Sequence, residues 1–512
     1  MTTTRSSGPR VVIVGGGIAG LAAAWFLKDA TVAGRPVEVT VLEGAPRLGG
    51  KLSASPVAGI SMDEGAEALL ARRPEGIDLI TALGRGGELV PAGTTSSAIW
   101  SRGAMRPLPR RQFMGVPADV DELAATGVVS GDGIDRARRE QHVARDGDMS
   151  VRRYVGGSLG AEVVDRLVDP LLGGVYAGRS EDLSFEATLA PLAAAARAHP
   201  VLTQAAASLL PPRGAASPAA PGGTPASGTG TAASPAQDKP PAGASSPGGA
   251  GGQPAPVFVT LTAGLGSLPP ALARASGARV RTGAMVRALA RTQAGWRLTV
   301  GSAADPEYLE ADAVILACPA APAARLLAAA APAAAAALGE IPYASMAIIT
   351  LAYPAASFPA TARSGYLVPA VDGKAVKAAT FSTVKWPHLA RAAARAGEAM
   401  HVVRCSVGRT GEVALLQRDD KDLESLAAAE LAQAAGVTGP PAQARVTRWG
   451  GGLPQYNVGH LDRVARVRAA VAAQPGLAVA GAAYDGVGIP ACIAAARMAA
   501  DQVLAHVAGP AR

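Results

Sequence analysis

At 512 residues the chain has room for two or three domains, and its 48 basic against 40 acidic side chains leave a net charge of +8 that suits an anionic partner. Three cysteines without a CxxC pair and six histidines without metal-ligand spacing argue against a disulfide framework and a metal site. An aromatic content of 4% with no Lys/Arg block argues against nucleic-acid binding, and the alanine tract 320–338, broken by Pro322, Arg325 and Pro332, is no transmembrane segment.

The polar start MTTTRSSGPR lacks the order of an export signal, so the expectation is a cytoplasmic chain, with peripheral membrane attachment left open. It runs into a strand at 11–14, a turn Gly15-x-Gly17-x-x-Gly20 and a helix over 19–27. In that context the first glycine permits the tight turn, the second admits a pyrophosphate to the backbone, and the third lets helix and strand pack closely. The residues Gly15, Gly16, Gly17, Ile18, Ala19 and Gly20 are therefore candidate phosphate contacts, served by the free N–H groups of the helix.

A second parallel strand at 37–42 ends at Glu43, placed to accept hydrogen bonds from ribose hydroxyls and to repel a 2′-phosphate. The run EGAPRLGGKLS follows directly, and its Arg47, Gly49, Gly50 and Lys51 point to a cofactor longer than NAD, covered along its whole length. The run MDEGAEALLARR, with Gly65 and Ala66 as small residues, continues that cover, and the cofactor expected is FAD.

Residues 122–210 are mostly helical in period. From 211 to 256 the composition is almost wholly Pro, Gly, Ala, Ser and Thr, which predicts a disordered loop. An antiparallel-looking run follows over 278–318, then strands near 347–352, 365–368, 378–382 and 401–407, and an amphipathic helix in DLESLAAAELAQAAG.

Near the carboxyl end, GLAVAGAAYDGVGIPACIAAARMAADQVL repeats the grammar of the first motif: short strand, glycine-spaced turn, proline, long helix. FAD has two ends, and Gly481 with Val487, Gly488 and Ile489 would supply the backbone approach at the flavin ring. The cofactor domain is then discontinuous and the 211–256 segment an insertion within a composite fold. The fold class expected is α/β, a discontinuous FAD-binding Rossmann-like domain (11–95, 257–335 and 466–508) with a helical and substrate region (96–210) and an α+β substrate-binding domain (336–465).

These residues, with PLLGGVYAG, KWPH, LPQYNVGH and YDGVGIP in that order, resemble the porphyrinogen-oxidizing branch of the flavin amine-oxidase superfamily, most closely the coproporphyrinogen III oxidases of Gram-positive bacteria. The resemblance implies oxidation of coproporphyrinogen III to coproporphyrin III, with the flavin N5 as hydride acceptor, three turnovers per macrocycle, and molecular oxygen reduced to hydrogen peroxide. It implies FAD contacts at Gly15 to Gly20, Glu43, Gly44, Lys51, Gly65, Ala66, Glu67, Ala68, Val286, Trp449, and Val487 to Ile489. Ala491 departs from the Asp common after the proline in relatives. No catalytic acid or base is assigned.

Four substrate propionates would suit the basic excess, with Arg73 as first choice and Arg72 beside it; Arg102, Arg106, Arg110 and Arg111 are further guanidinium candidates, and Tyr366, Lys385 and Tyr456 weaker pocket candidates. The alternatives are a protoporphyrinogen oxidase, a flavin amine oxidase with an aromatic cage from Trp449 and Tyr484, and a FAD-bound scaffold docking a ferrochelatase.

Overall fold

The computed structural model describes residues 8–145, 147–212, 256–395 and 399–509. The loop expected at 211–256 lies, except for its end residues, outside the described residues.

The first apolar run forms β1 (Arg10–Val14), and its glycine turn opens α1 (Ile18–Leu27) before β2 (Glu38–Leu42). Much later segments, β3 (Arg279–Arg281), β4 (Ala313–Leu316) and β5 (Leu477–Val479), complete a five-stranded parallel sheet in the order β3-β2-β1-β4-β5. Strands β1 and β4 read as unbroken apolar runs because both faces of a parallel sheet are covered; all four residues of β4 are fully buried. The expected discontinuity is present.

The last helix, α2 (Ile489–Ala508), packs against α1 on one face of this sheet. Alanines make the contact close: Ala22, Ala23 and Ala24 of one helix and Ala495, Ala496, Ala499 and Ala500 of the other are all buried. Each helix follows a parallel strand, so both N-termini lie at the same end of the sheet, with β1 and β5 two strand spacings apart.

The second unit is a seven-stranded sheet in the spatial order Ala104–Pro107, Ser97–Ser101, Gly365–Leu367, Val376–Phe381, Met400–Val407, Tyr343–Pro354, Gln443–Pro454. Helix Asp420–Ala435 covers one face through Leu423, Ala427 and Leu431. The opposite face carries Thr350, Arg404 and Trp449 toward the nucleotide domain. Between the units lies a helical body from Val120 to Ser208 with its own core.

Three expectations change. The run over 278–318 is antiparallel only from Val286 to Ala311; its ends are β3, a part-exposed edge strand RVR, and β4, a fully buried apolar run, both in the parallel sheet. Residues 97–107, grouped by sequence with the helical region, form the edge of the seven-stranded sheet. The strand Gln443–Pro454 was not anticipated, because Gly450, Gly451 and Gly452 mask its alternation; the strand opposite them carries a register shift between Ala344 and Met346.

Strand Phe258–Leu261, just after the proline-rich segment, pairs with Leu69–Leu70 and Leu89–Pro91, so the chain on either side of that segment belongs to one composite body. Among the described residues no helix is long and apolar enough to cross a membrane, and no cluster of His, Cys, Asp and Glu could hold a metal.

Candidate active site

The three glycines of the first turn have three different surroundings. Gly15 takes φ +115 and a Cβ on it would lie 2.7 Å from the Ala317 carbonyl oxygen. A Cβ on Gly20 would lie 1.9 Å from the Gly15 carbonyl oxygen, so helix and strand touch there. On Gly17 a Cβ would meet no protein atom within 4 Å. The middle glycine alone opens onto space, as a backbone that receives a phosphate requires. It is also the N-cap of α1, and no side chain caps that end.

The Glu43 carboxylate is fixed by two backbone donors, Gly16 N–H at 2.7 Å and Ala45 N–H at 2.8 Å. Each oxygen keeps a second lone pair for a ribose hydroxyl. The turn after β3 pairs with this segment: Glu43 N–H donates to the Arg281 carbonyl, Ala284 N–H to the Glu43 carbonyl and Gly283 N–H to the Ala45 carbonyl. That brings Met285 over Gly44 and sets Val286 next to it.

At the other end, Gly481 takes φ +124 and a Cβ there would also meet nothing within 4 Å. Gly488 is the exposed N-cap of α2, again without a side-chain cap; Val487 is half-buried against the helical body and Ile489 is buried. Two uncapped helix N-termini and two open glycines therefore share one end of one sheet.

The covering segment closes the space between the domains. A Cβ on Gly65 would sit 2.0 Å from the Lys51 carbonyl oxygen and 3.2 Å from the Trp449 ring. Ala66 N–H donates to that same Lys51 carbonyl, and Trp449 Nε1–H to the Glu64 carbonyl at 3.0 Å. Burial lowers the Lys51 ammonium below its ordinary value, against an opposing pull from Cys492. Glu67 is 13% exposed between Lys385 Nζ at 2.8 Å and Arg404 Nη1 at 2.5 Å. Burial alone would raise its carboxyl, but the two cations outweigh burial and hold it down to about 2.

The substrate candidates separate. Arg73 is the N-cap of helix Pro74–Ala82, and its guanidinium is forked onto Glu75, with Nη2 2.6 Å from Oε1. Arg72 is exposed and its guanidinium lies 5.9 Å from the Phe113 ring centroid, so it keeps its donors for a carboxylate. Lys385 Nζ donates to Glu67 Oε1 at 2.8 Å, which engages one of its three N–H donors.

Tyr366 is corrected: it is 3% exposed in the core under helix Asp420–Ala435, edge-on to Phe381, because strand alternation turns it with Val368 away from the nucleotide domain. Tyr456 is 2% exposed and donates to the Ala482 carbonyl at 2.7 Å, so it supports the carboxyl-terminal turn. Arg106 folds onto its own hairpin through the Ser101 carbonyl, Arg111 reaches the Pro211 carbonyl, and Arg102 and Arg110 are exposed.

Sequence reasoning missed Arg404, 6% exposed and central to the covering segment; its signal was a lone charge in the apolar strand HVVRCSV. It also missed Asp63, 8% exposed, which accepts from Leu265 N–H at 3.0 Å and Gly266 N–H at 2.8 Å; burial raises its carboxyl to about 6 against those two donors.

An α/β dinucleotide domain that offers a second uncapped helix N-terminus at the same end of its sheet defines a flavoprotein of the FAD-binding class. The profile of the family described as flavin containing amine oxidoreductase matches residues 18–504, and the chain belongs to that family. Its cofactor is FAD.

Over 501 residues the chain is 35% identical to a coproporphyrinogen III oxidase of Mycobacterium tuberculosis, with 96% of each chain covered. It is 28% identical to a Bacillus subtilis protein of the same name, covering 97% of this chain and 98% of that one. A solved Exiguobacterium protein provisionally named protoporphyrinogen oxidase is 29% identical, with a TM-score of 0.77 over 97% of this chain and 99% of that one.

Proposed function

We propose that this chain oxidises coproporphyrinogen III to coproporphyrin III with FAD, dioxygen being the final acceptor and hydrogen peroxide the by-product. Bound FAD supplies the two-electron acceptor that the protein's own side chains lack. The observation that carries the reading is the pair of open, uncapped turns, Gly15 to Gly20 and Gly481 to Ile489, drawn from opposite ends of the chain to one end of one sheet.

In that reading Gly17 and the first N–H groups of α1 hold the pyrophosphate, and Glu43 accepts from the ribose. Gly44 and Val286 flank the adenine end; Lys51, Gly65 to Ala68, Trp449 and the start of α2 line the ring end. A cationic side chain and a helix N-terminus there favour the negative charge that reduction brings. Arg72 pairs with a substrate propionate, and the basic excess draws a four-carboxylate macrocycle more strongly than one with two.

No side chain is assigned a proton-transfer step. Membrane association, where it occurs, is through the surface, and a ferrochelatase is the partner that product release calls for.

The test is anaerobic titration of the yellow protein with each porphyrinogen. Coproporphyrinogen III should bleach the visible flavin band stoichiometrically; a flavin that stays oxidised with every porphyrinogen would refute the reading. Protoporphyrinogen IX is the second reading, favoured by the full-length likeness to the Exiguobacterium protein, and it wins if that substrate bleaches the flavin faster.

A further inference from the structure

Three of the four residues from 64 to 67, Glu64, Gly65 and Glu67, are gripped by three separate pieces of the seven-stranded unit. Trp449, on strand Gln443–Pro454, donates to the Glu64 carbonyl. Arg404, on strand Met400–Val407, donates through one Nη to the Gly65 carbonyl and through the other to Glu67 Oε2. Lys385, closing helix Ser382–Lys385, holds Glu67 Oε1 and lies 4.9 Å from the Trp386 ring centroid. The side chains of Arg404, Glu67 and Lys385 are 6%, 13% and 16% exposed.

A buried ionic triad is a poor source of stability, because taking its charges out of water costs about what their attraction returns. Its distinctive product is registry, since the fork of Arg404 fits only one placement of the carbonyl and carboxylate it spans. The slot it serves has no slack: Gly65 is wedged between the Lys51 carbonyl and the Trp449 ring, where even a Cβ does not fit. A slip of the segment would carry Lys51 and Gly65 off the cleft together.

We propose that Arg404 and Lys385 are positioning residues that act through Glu67 and the Gly65 carbonyl to seat residues 64–68 against the flavin, so that the substrate-domain sheet sets the cofactor's position. The inference rests on the FAD reading above. It gives Glu67 a role through its partners rather than as a side-chain ligand, and it removes Lys385 from the substrate pocket.

The test uses full-length Glu67→Gln, which keeps the shape of the side chain and loses its charge, with Arg404→Met, Arg404→Lys and Lys385→Met. FAD affinity from the quenching of flavin fluorescence, the visible flavin spectrum, and kcat and KM are read on each. Glu67→Gln and Arg404→Met should weaken FAD binding about tenfold or more and shift the flavin band, with Arg404→Lys lying between them and wild type. Lys385→Met should weaken FAD binding and leave the porphyrinogen KM unchanged.

If Arg404→Met does not fold, Glu67→Gln decides. Wild-type FAD affinity and spectrum in Glu67→Gln would overturn the proposal and leave the cofactor reading standing. A raised KM with unchanged FAD affinity in Lys385→Met would overturn it in favour of a substrate contact. Wild-type protein that takes up no FAD would overturn both.

Discussion

Gly17→Val separates a glycine kept for the chain from one kept for a ligand. Gly17 sits at φ −77 and ψ −177, extended backbone that valine adopts readily, and its Cβ direction is free of protein atoms to 4 Å. Exchanging a tolerated N-cap for a poor one costs the fold about 1 kcal/mol. A phosphate in contact with that backbone would instead meet three added carbons, and FAD affinity should fall at least about 100-fold, some 2.7 kcal/mol.

The control is Gly20→Ala, whose Cβ would stand 1.9 Å from the Gly15 carbonyl oxygen. Helix α1 would have to move off β1, and the cost falls on the fold, about 2 to 4 kcal/mol. FAD retained on purification, FAD titration by fluorescence and the melting temperature of the stripped protein distinguish the two. Gly17→Val should come off the column colourless with a near wild-type melting temperature; Gly20→Ala should melt early. Tight FAD binding by Gly17→Val would refute the pyrophosphate site and the reasoning built on it.

The freedom of Arg72 and the engagement of Arg73 by Glu75 predict that Arg72→Ala raises the porphyrinogen KM about fivefold to tenfold at nearly constant kcat, while Arg73→Ala changes it less; the reverse order in steady-state kinetics would put Arg73 in the pocket. The pH dependence of stability should carry two opposed contributions. Asp63, raised to about 6 by burial, holds its proton more tightly when folded, so its favourable contribution is present at low pH and is lost, by about 3 kcal/mol, as pH rises from about 4 through 6. His460, fully buried and lowered to about 4, contributes above the unfolded value of 6.5 and loses about 3 kcal/mol as pH falls toward 4. Asp63→Asn removes the first, so its melting temperature should drop more steeply than wild type on acidification; parallel curves would contradict the assignment. Burial raises the thiols of Cys318 and Cys405 to about 12 and of Cys492 to about 11, so none should react with a disulfide reagent at pH 8 until the protein is unfolded, as thiol titration before and after denaturant will show.

The parallel sheet and both glycine turns were legible because they are local statements: an apolar run, a spaced set of glycines, and the start of a helix stand next to one another in the chain. Glu43 was legible for the same reason. The face a strand presents was not. Tyr366 and Arg404 sit on two strands of one sheet, either side of strand Val376–Phe381, yet one turns to helix Asp420–Ala435 and the other to the nucleotide domain, and nothing within GYL or HVVRCSV says which side is which. The engagement of Arg73 was not foreseen, though its cause lies in its own neighbours: Pro74 and Glu75 start a helix and bring an acid back to the guanidinium. The strand carrying Trp449 was hidden by glycines that the sheet accommodates with a register shift in its partner.

The two carboxyl-terminal motifs are held to each other by hydrogen bonds. In the turn after β5, alternate carbonyls are each taken by a donor: Ala482 by Tyr456 at 2.7 Å, Tyr484 by Nε2 of His460 at 3.3 Å, and Gly486 by the Cys492 thiol at 3.9 Å. Tyr456 and His460 are stacked with ring centroids 3.8 Å apart, and Arg468, on the helix that His460 begins, pairs with Asp485. These hydrogen bonds fix the carbonyls of the turn in place, while the N-terminus of α2 that follows has no side-chain cap and keeps its free N–H groups. LPQYNVGH and YDGVGIP therefore form one device split in sequence, in which the first segment restrains the backbone of the second.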